Sequence, residues 1–131
     1  RKNMQAVKNK GSIIESIISK LLWNRGFRYR RNDKSVFGKP DFVFKRLKIA
    51  IFCDSEFWHG KDWDQKKHEH KSNIDFWHKK ILRNIERDKE VNKKLKEDGW
   101  EILRFWGNDI KKNPLICIFK IEQTIQCKTI K

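Results

Sequence analysis

Apolar residues recur along this chain with two different periods, and the switches between them mark its elements. Ile13, Ile14, Ile17, Ile18, Leu21 and Leu22 repeat at helical spacing behind Ser12, a residue suited to cap a helix, and Gly26 closes the run. Residues 1–10 are basic and polar apart from Met4, Ala6 and Val7, so they are expected to form a flexible arm that contacts a partner rather than a core element. Phe27 to Arg31 alternates apolar side chains with arginine, as a half-exposed strand does. Gly38 and Pro40 signal a turn, Asp41 opens the run Phe42-Val43-Phe44, Lys45-Arg46 is a second turn, and Lys48 to Cys53 is a second strand, so this stretch is expected to be a hairpin. Ile49 to Cys53 is almost uniformly apolar, as in a strand covered on both faces. A long helix is predicted from Asn73 to Asp98 on the stripe Ile74, Trp77, Ile81, Ile85, Val91, Leu95, with Gly99 as its stop. Trp100 to Trp106 alternates and predicts another strand, Gly107 to Asp109 a turn, and Asn113-Pro114 the cap and first-turn proline of a last helix. The order α-β-β-β-α-β-α predicts one α/β domain over residues 1–131, a mixed sheet flanked by helices. Trp23, Trp77, Trp100 and Trp106 fall on apolar faces and are expected in its core, whereas Trp58 does not.

Composition narrows the partners. Lys and Arg total 32 against 17 acids, a formal net charge of +15, which points to a polyanion such as duplex DNA. The cations are spread over Arg25 to Arg31, Lys66 to Lys71, Lys79 to Arg87 and Lys111-Lys112, as in a saddle for phosphates, with a merely solubilising surface as the bland alternative. No apolar run approaches the roughly 20 residues that span a bilayer, so no membrane partner is expected. Cys53, Cys117 and Cys127 are odd in number and lack a Cys-x-x-Cys pair, which suggests neither a disulfide framework nor a thiolate zinc site and fits a reducing cytoplasm. His68 and His70 flank Glu69 in a lysine-rich stretch and are expected to be solvated rather than metal ligands.

The hairpin carries an acid at each end. Folding it brings Asp41 close to Cys53 and Asp54, because antiparallel partners lie about 5 Å apart. Carboxylates that converge there repel unless a cation joins them, and oxygen donors favour magnesium, with manganese as a substitute. Such an ion activates water against a phosphate. Glu15, at the margin of the first apolar stripe, is read either as a helix-terminal charge or as an active-site acid. Phe57-Trp58-His59 after the strand places large aromatics and an imidazole in an otherwise polar stretch, where exposure is costly without a function.

Pro40-Asp41 followed by the strand end Cys53-Asp54-Ser55-Glu56 resembles the PD-(D/E)XK nuclease pattern, without its lysine. Taken with Asn3-Met4, Glu15, Gly38-x-Pro40-Asp41-Phe-Val, Ile51-Phe52, Phe57-Trp58-His59, Asn84-x-x-Arg87-Asp88 and Gly99-Trp100, the chain resembles the very short patch repair endonucleases over nearly its whole length. That resemblance implies a restriction-endonuclease-like core and a magnesium-dependent enzyme that nicks one DNA strand beside a T:G mismatch, acting as a monomer. It implies Asp41 as a metal-binding aspartate, His59 in water activation, Glu15 as an active-site acid, and the Cys53 backbone carbonyl as a metal ligand. Met4, Phe57 and Trp58 would be the apolar wedge pushed into the base stack, and Lys80, Asn84 and Arg87 would contact DNA.

Three departures from the family pattern carry consequences. Asp54 stands where a second catalytic histidine is usual, and is expected to bind the metal or orient the water. The family's structural zinc ligands are unmatched at Lys61, Trp63 and Gly107-Asn108, so no zinc is expected. Glu56 completes an Asp-x-Glu and ranks below His59, because it cannot supply a lysine's charge. A restriction-type nuclease cutting matched duplex and a DNA-binding module that has lost catalysis are the rival readings.

Overall fold

The structure, a computed structural model, describes residues 2–54 and 74–130, with side-chain surroundings from 13 to 54 and from 78 to 129. Helix α1 (Lys2–Asn24) leads to strands β1 (Arg30–Arg31), β2 (Phe42–Phe44) and β3 (Ile49–Asp54), and helix α2 (Ile74–Glu97), strand β4 (Glu101–Trp106) and helices α3 (Gly107–Lys112) and α4 (Pro114–Ile130) follow. The strands form one sheet in the order β1-β2-β3-β4, antiparallel between β1, β2 and β3 and parallel between β3 and β4. This is the mixed, helix-flanked α/β sheet that the sequence predicts. No helix among the described residues is long and apolar enough to cross a membrane.

Alternation along β3 decides how the layers assemble. Ile49 and Ile51 face a core built with Ile14, Ile18 and Leu22 of α1, Phe42 and Phe44 of β2, Ile110 of α3 and Ile118 and Ile121 of α4. Ala50 and Phe52 face a smaller core with Val36, Val43 and, from α2, Val91 and Leu95. Residues two apart on a strand share a face, so Asp54 emerges on the α2 side and Cys53 on the α1 side. The same rule puts Asp41, one residue ahead of β2, on the α2 side with Val43. Burying β3 on both faces is what holds its carboxyl end in place, since large apolar side chains lock the strand from above and below.

Several expectations need correction. Helix α1 begins at Lys2 and runs through Ser12, so Ser12 is not its cap, and residues 2–10, read as an arm, have helical backbone. Gly11 costs a helix only about 1 kcal/mol relative to alanine, which the flanking helix formers tolerate. Residues 107–112, expected to begin with a turn, form helix α3, which buries Gly107 and Ile110. The first strand is confined to Arg30–Arg31, while Phe27 and Tyr29 pack on the α1-side core outside regular pairing. Trp23 is 53% exposed rather than core; the guanidinium of Arg28 lies 3.5 Å from the centre of its ring and covers it from outside.

Candidate active site

The approach to Asp41 is fixed by a glycine that nothing else can replace without strain. Gly38 has φ +83°, and a Cβ there would meet Val91 Cγ1 of α2 at 2.5 Å. The turn therefore packs directly on the helix, and Pro40, fully buried, passes the chain on to β2. The register Phe42↔Ile51 then places Asp41 beside the end of β3. Its Oδ2 accepts a hydrogen bond from the backbone N–H of Cys53 at 2.7 Å. Asp41 thus meets Cys53, as folding of the hairpin predicts: a carboxylate contacts the main chain of the residue whose carbonyl was expected to be a ligand.

Asp54 is the next residue and is only 5% exposed. Its two carboxylate oxygens accept from Nη1 of Arg104 at 3.1 and 3.0 Å. Arg104 is on β4, opposite Phe52 in the parallel register, and reaches along the strand to Asp54. Its Nε donates to Asn92 Oδ1 at 2.8 Å, Asp88 Oδ1 lies 3.6 Å from Nη1, and its guanidinium sits 4.0 Å over the Phe52 ring. Asp88 is therefore paired inside the fold. Sequence reasoning missed Arg104. The available signal was a single cation interrupting a strand that is otherwise apolar between Ile102 and Trp106.

Asp41, Asp54, Asn84, Arg87, Asp88 and Arg104 line one cleft of about 260 Å³ between the strand ends and α2. Residues 80, 84 and 87 lie three and four apart on α2, and so on one face of it; Lys80 sits one turn before Asn84. Glu15 is not in this cleft. It lies across the sheet on α1 and is paired with Arg31 Nη2 at 3.4 Å. Its charge still reaches the strand end. Burial raises the Cys53 thiol well above its usual range, and the carboxylates of Asp41, Glu15 and Asp54 push it further in the same direction. Cys53 is consequently a poor thiolate nucleophile or thiolate ligand. Met4 lies on α1 outside the described side chains, and Phe57, Trp58 and His59 lie outside the described residues altogether.

The donor set suits a hard cation. The cleft offers the carboxylates of Asp41, Asp54 and Asp88, and no thiolate or imidazole among the described residues there. Among the described residues, no group of three or more His, Cys, Asp or Glu side chains could by itself hold a metal ion. An ion that keeps several waters and takes one or two carboxylates, as magnesium does, fits that sparse provision.

A mixed sheet with carboxylates at a hairpin end, opening on a cleft that carries Arg87 from the neighbouring helix, has the build of a restriction-endonuclease-like nuclease. A family model described as "DNA mismatch endonuclease Vsr" matches residues 1–65. The type II nicking enzyme V.NmeDIP of Neisseria meningitidis serogroup C is 52% identical over 128 residues, covering 98% of this chain and 86% of that one. The type II nicking enzyme V.HpaIIP of Haemophilus parainfluenzae is 56% identical over 118 residues, 90% of this chain and 84% of its own. DNA mismatch endonuclease Vsr of Escherichia coli K12 is 34% identical over 112 residues, 80% of this chain and 67% of its own. The chain belongs to the Vsr family of DNA mismatch endonucleases, and is an endodeoxyribonuclease acting on DNA.

Proposed function

We propose that this endonuclease nicks one strand of duplex DNA beside a T:G mismatch in a magnesium-dependent reaction, as very short patch mismatch repair requires. The observation that carries the reading is the 2.7 Å contact between Asp41 and the Cys53 main chain at the mouth of the cleft. Asp41 and the Cys53 carbonyl would hold the ion, with Asp54 beside them and paired with Arg104. When bound, magnesium supplies Lewis-acid polarisation of a phosphodiester oxygen and favours ionisation of water.

The chain's own residues do the rest. Asn84 and Arg87, on the α2 wall of the cleft, bind phosphate oxygens on either side of the scissile bond, where a guanidinium fork is suited to two of them at once. His59 accepts the proton of the attacking water, and Glu15 supports the strand end from the far side of the sheet. Phe57, Trp58 and Met4 enter the base stack. Unstacking costs a few kcal/mol and least at a mispair, so deformability supplies selectivity before any base is read. The excess of cations elsewhere accounts for affinity to the duplex backbone.

A labelled duplex with a single T:G pair tests this. Nicking of one strand in magnesium is expected, with the matched duplex left intact. Cleavage of both strands of the matched duplex, or tight binding without cleavage in magnesium and manganese, would reject it in favour of a restriction-type enzyme or a binding module respectively.

A further inference from the structure

Convergent carboxylates were expected to need a shared divalent ion, but the structure provides a different counter-charge for one of them. We propose that Arg104 is a positioning residue that withholds Asp54 from the divalent ion, leaving Asp41 as the side-chain carboxylate that holds it. This rests on the cleft being a divalent-ion site, as proposed above.

A single Nη1 takes both oxygens of Asp54, at 3.1 and 3.0 Å, so a divalent ion on either oxygen's second lone pair would sit close to the guanidinium's positive charge. The side chains are 19% and 7% exposed, which puts the pair where solvent screens it little. Separating a pair there costs far more than separating one at the surface, because each charge would be left without its counter-ion in a poorly polarisable setting.

Arg104 is also unable to swing aside cheaply. Nε is tied to Asn92, the guanidinium plane rests on Phe52, and Asp88 flanks Nη1. Asn92 and Asp88 come from α2 and Phe52 from β3, so the guanidinium is held from two elements at once. Its Nε and Nη1 are both engaged, which holds the carboxylate in one geometry, while Nη2 is buried with no hydrogen-bond partner among the described residues. Asp41 is differently placed, meeting the main chain of Cys53, whose carbonyl is the other proposed donor. The cleft thus separates two acids by role: one addressed to the strand end where the ion would sit, the other locked to β4.

Removing the guanidinium should therefore have an effect that loss of structure alone does not. Asp54 would stay buried with the guanidinium's charge removed, and a divalent ion in the cleft would supply part of that lost counter-charge. Ion affinity would rise while turnover falls, because the added ligand draws the ion from the position that Asp41 and Cys53 define. A merely structural arginine would, on removal, loosen the cleft and weaken both.

The experiment measures Mn²⁺ binding to the full chain by the electron paramagnetic resonance of the free ion, with and without a T:G duplex. The variants are Asp41→Asn, Asp54→Asn, Arg104→Met, Arg104→Lys and the double variant Arg104→Met/Asp54→Asn. Asp41→Asn is expected to weaken binding about tenfold or more, and Asp54→Asn to change it less than about threefold. Arg104→Met should tighten it by about tenfold, Arg104→Lys should stay near wild type, and the double variant should cancel the gain. Weakening by Asp54→Asn as large as that by Asp41→Asn overturns the proposal, as does weakening by Arg104→Met in folded protein. The Asp54→Asn result decides the matter even where Arg104→Met does not fold. Wild-type protein that takes up no Mn²⁺, or an Asp41→Asn variant that binds it unchanged, overturns the divalent-ion reading of the cleft itself.

Discussion

The two ends of the β2–β3 hairpin are made of the same two strands and differ in almost everything that bears on chemistry. At one end Asp41, Cys53 and Asp54 gather oxygen atoms around a cleft of about 260 Å³. At the other, the turn carries Lys45 and Arg46 beside a broader groove of about 550 Å³, bordered by Arg28 and Arg30 and floored by Val43, Phe44 and Leu47. The larger opening is the less equipped of the two. Its lining has no carboxylate or imidazole, and the hydroxyl of Tyr29 is engaged with Ser19, so it offers cations and apolar surface but no oxygen donors suited to a metal. Volume therefore says little about function here, and the residues that terminate the strands say a great deal.

The comparison can be broken at either end. The largest effect is expected from Asp41→Asn, which keeps the shape of the side chain and removes its charge: T:G nicking should fall on the order of a thousandfold, as befits loss of several kcal/mol of transition-state stabilisation. The thermal midpoint should stay close to that of the wild type, and a parallel collapse in stability would mean that Asp41 is structural. Next comes Gly38→Ala, which leaves all the acids in place and attacks their support. The added methyl collides with Val91 and the residue must keep a positive φ, so denaturant titration should show a loss of about 2–4 kcal/mol. Adding Val91→Ala should recover part of that loss, and no recovery would show that the backbone conformation rather than the collision dominates. The smallest effect is expected at the tip. Lys45→Gln with Arg46→Gln should leave the single-turnover nicking rate within about twofold and lower duplex affinity only a few-fold, as for the loss of one or two phosphate contacts. A nicking defect comparable to that of Asp41→Asn would erase the distinction between the ends.

Much of this architecture was legible because it is written in short-range patterns. The hairpin follows from Gly38-x-Pro40, the Lys45-Arg46 turn and two apolar runs, and its pairing then has to bring Asp41 to Cys53. Helix α2 is bounded by a clear stripe and by Gly99 at φ +87°. What stayed hidden depends on tertiary contacts. Helix α3 is six residues long, with Ile110 as its one large apolar anchor, too short for any period to declare itself. Trp23 carries its own cover in Arg28, which a periodicity argument cannot see. Arg104 is the instructive omission: its partners Asp54 and Asp88 and its support Asn92 come from two other elements, and only the parallel pairing of β3 with β4 brings them together. Asp54, expected to bind the metal or orient the water, is thus also the partner of an arginine that the acids alone do not reveal.

The central claim is that oxygen atoms from residues 41 and 53 converge on one divalent ion. Anomalous diffraction from crystals of the chain soaked in manganese tests it most directly. The account predicts one peak within coordinating distance of the Asp41 carboxylate and the Cys53 carbonyl, with the Asp54 carboxylate still on Arg104. A peak at another site, or none at this strand end with a mismatched duplex bound, would contradict it.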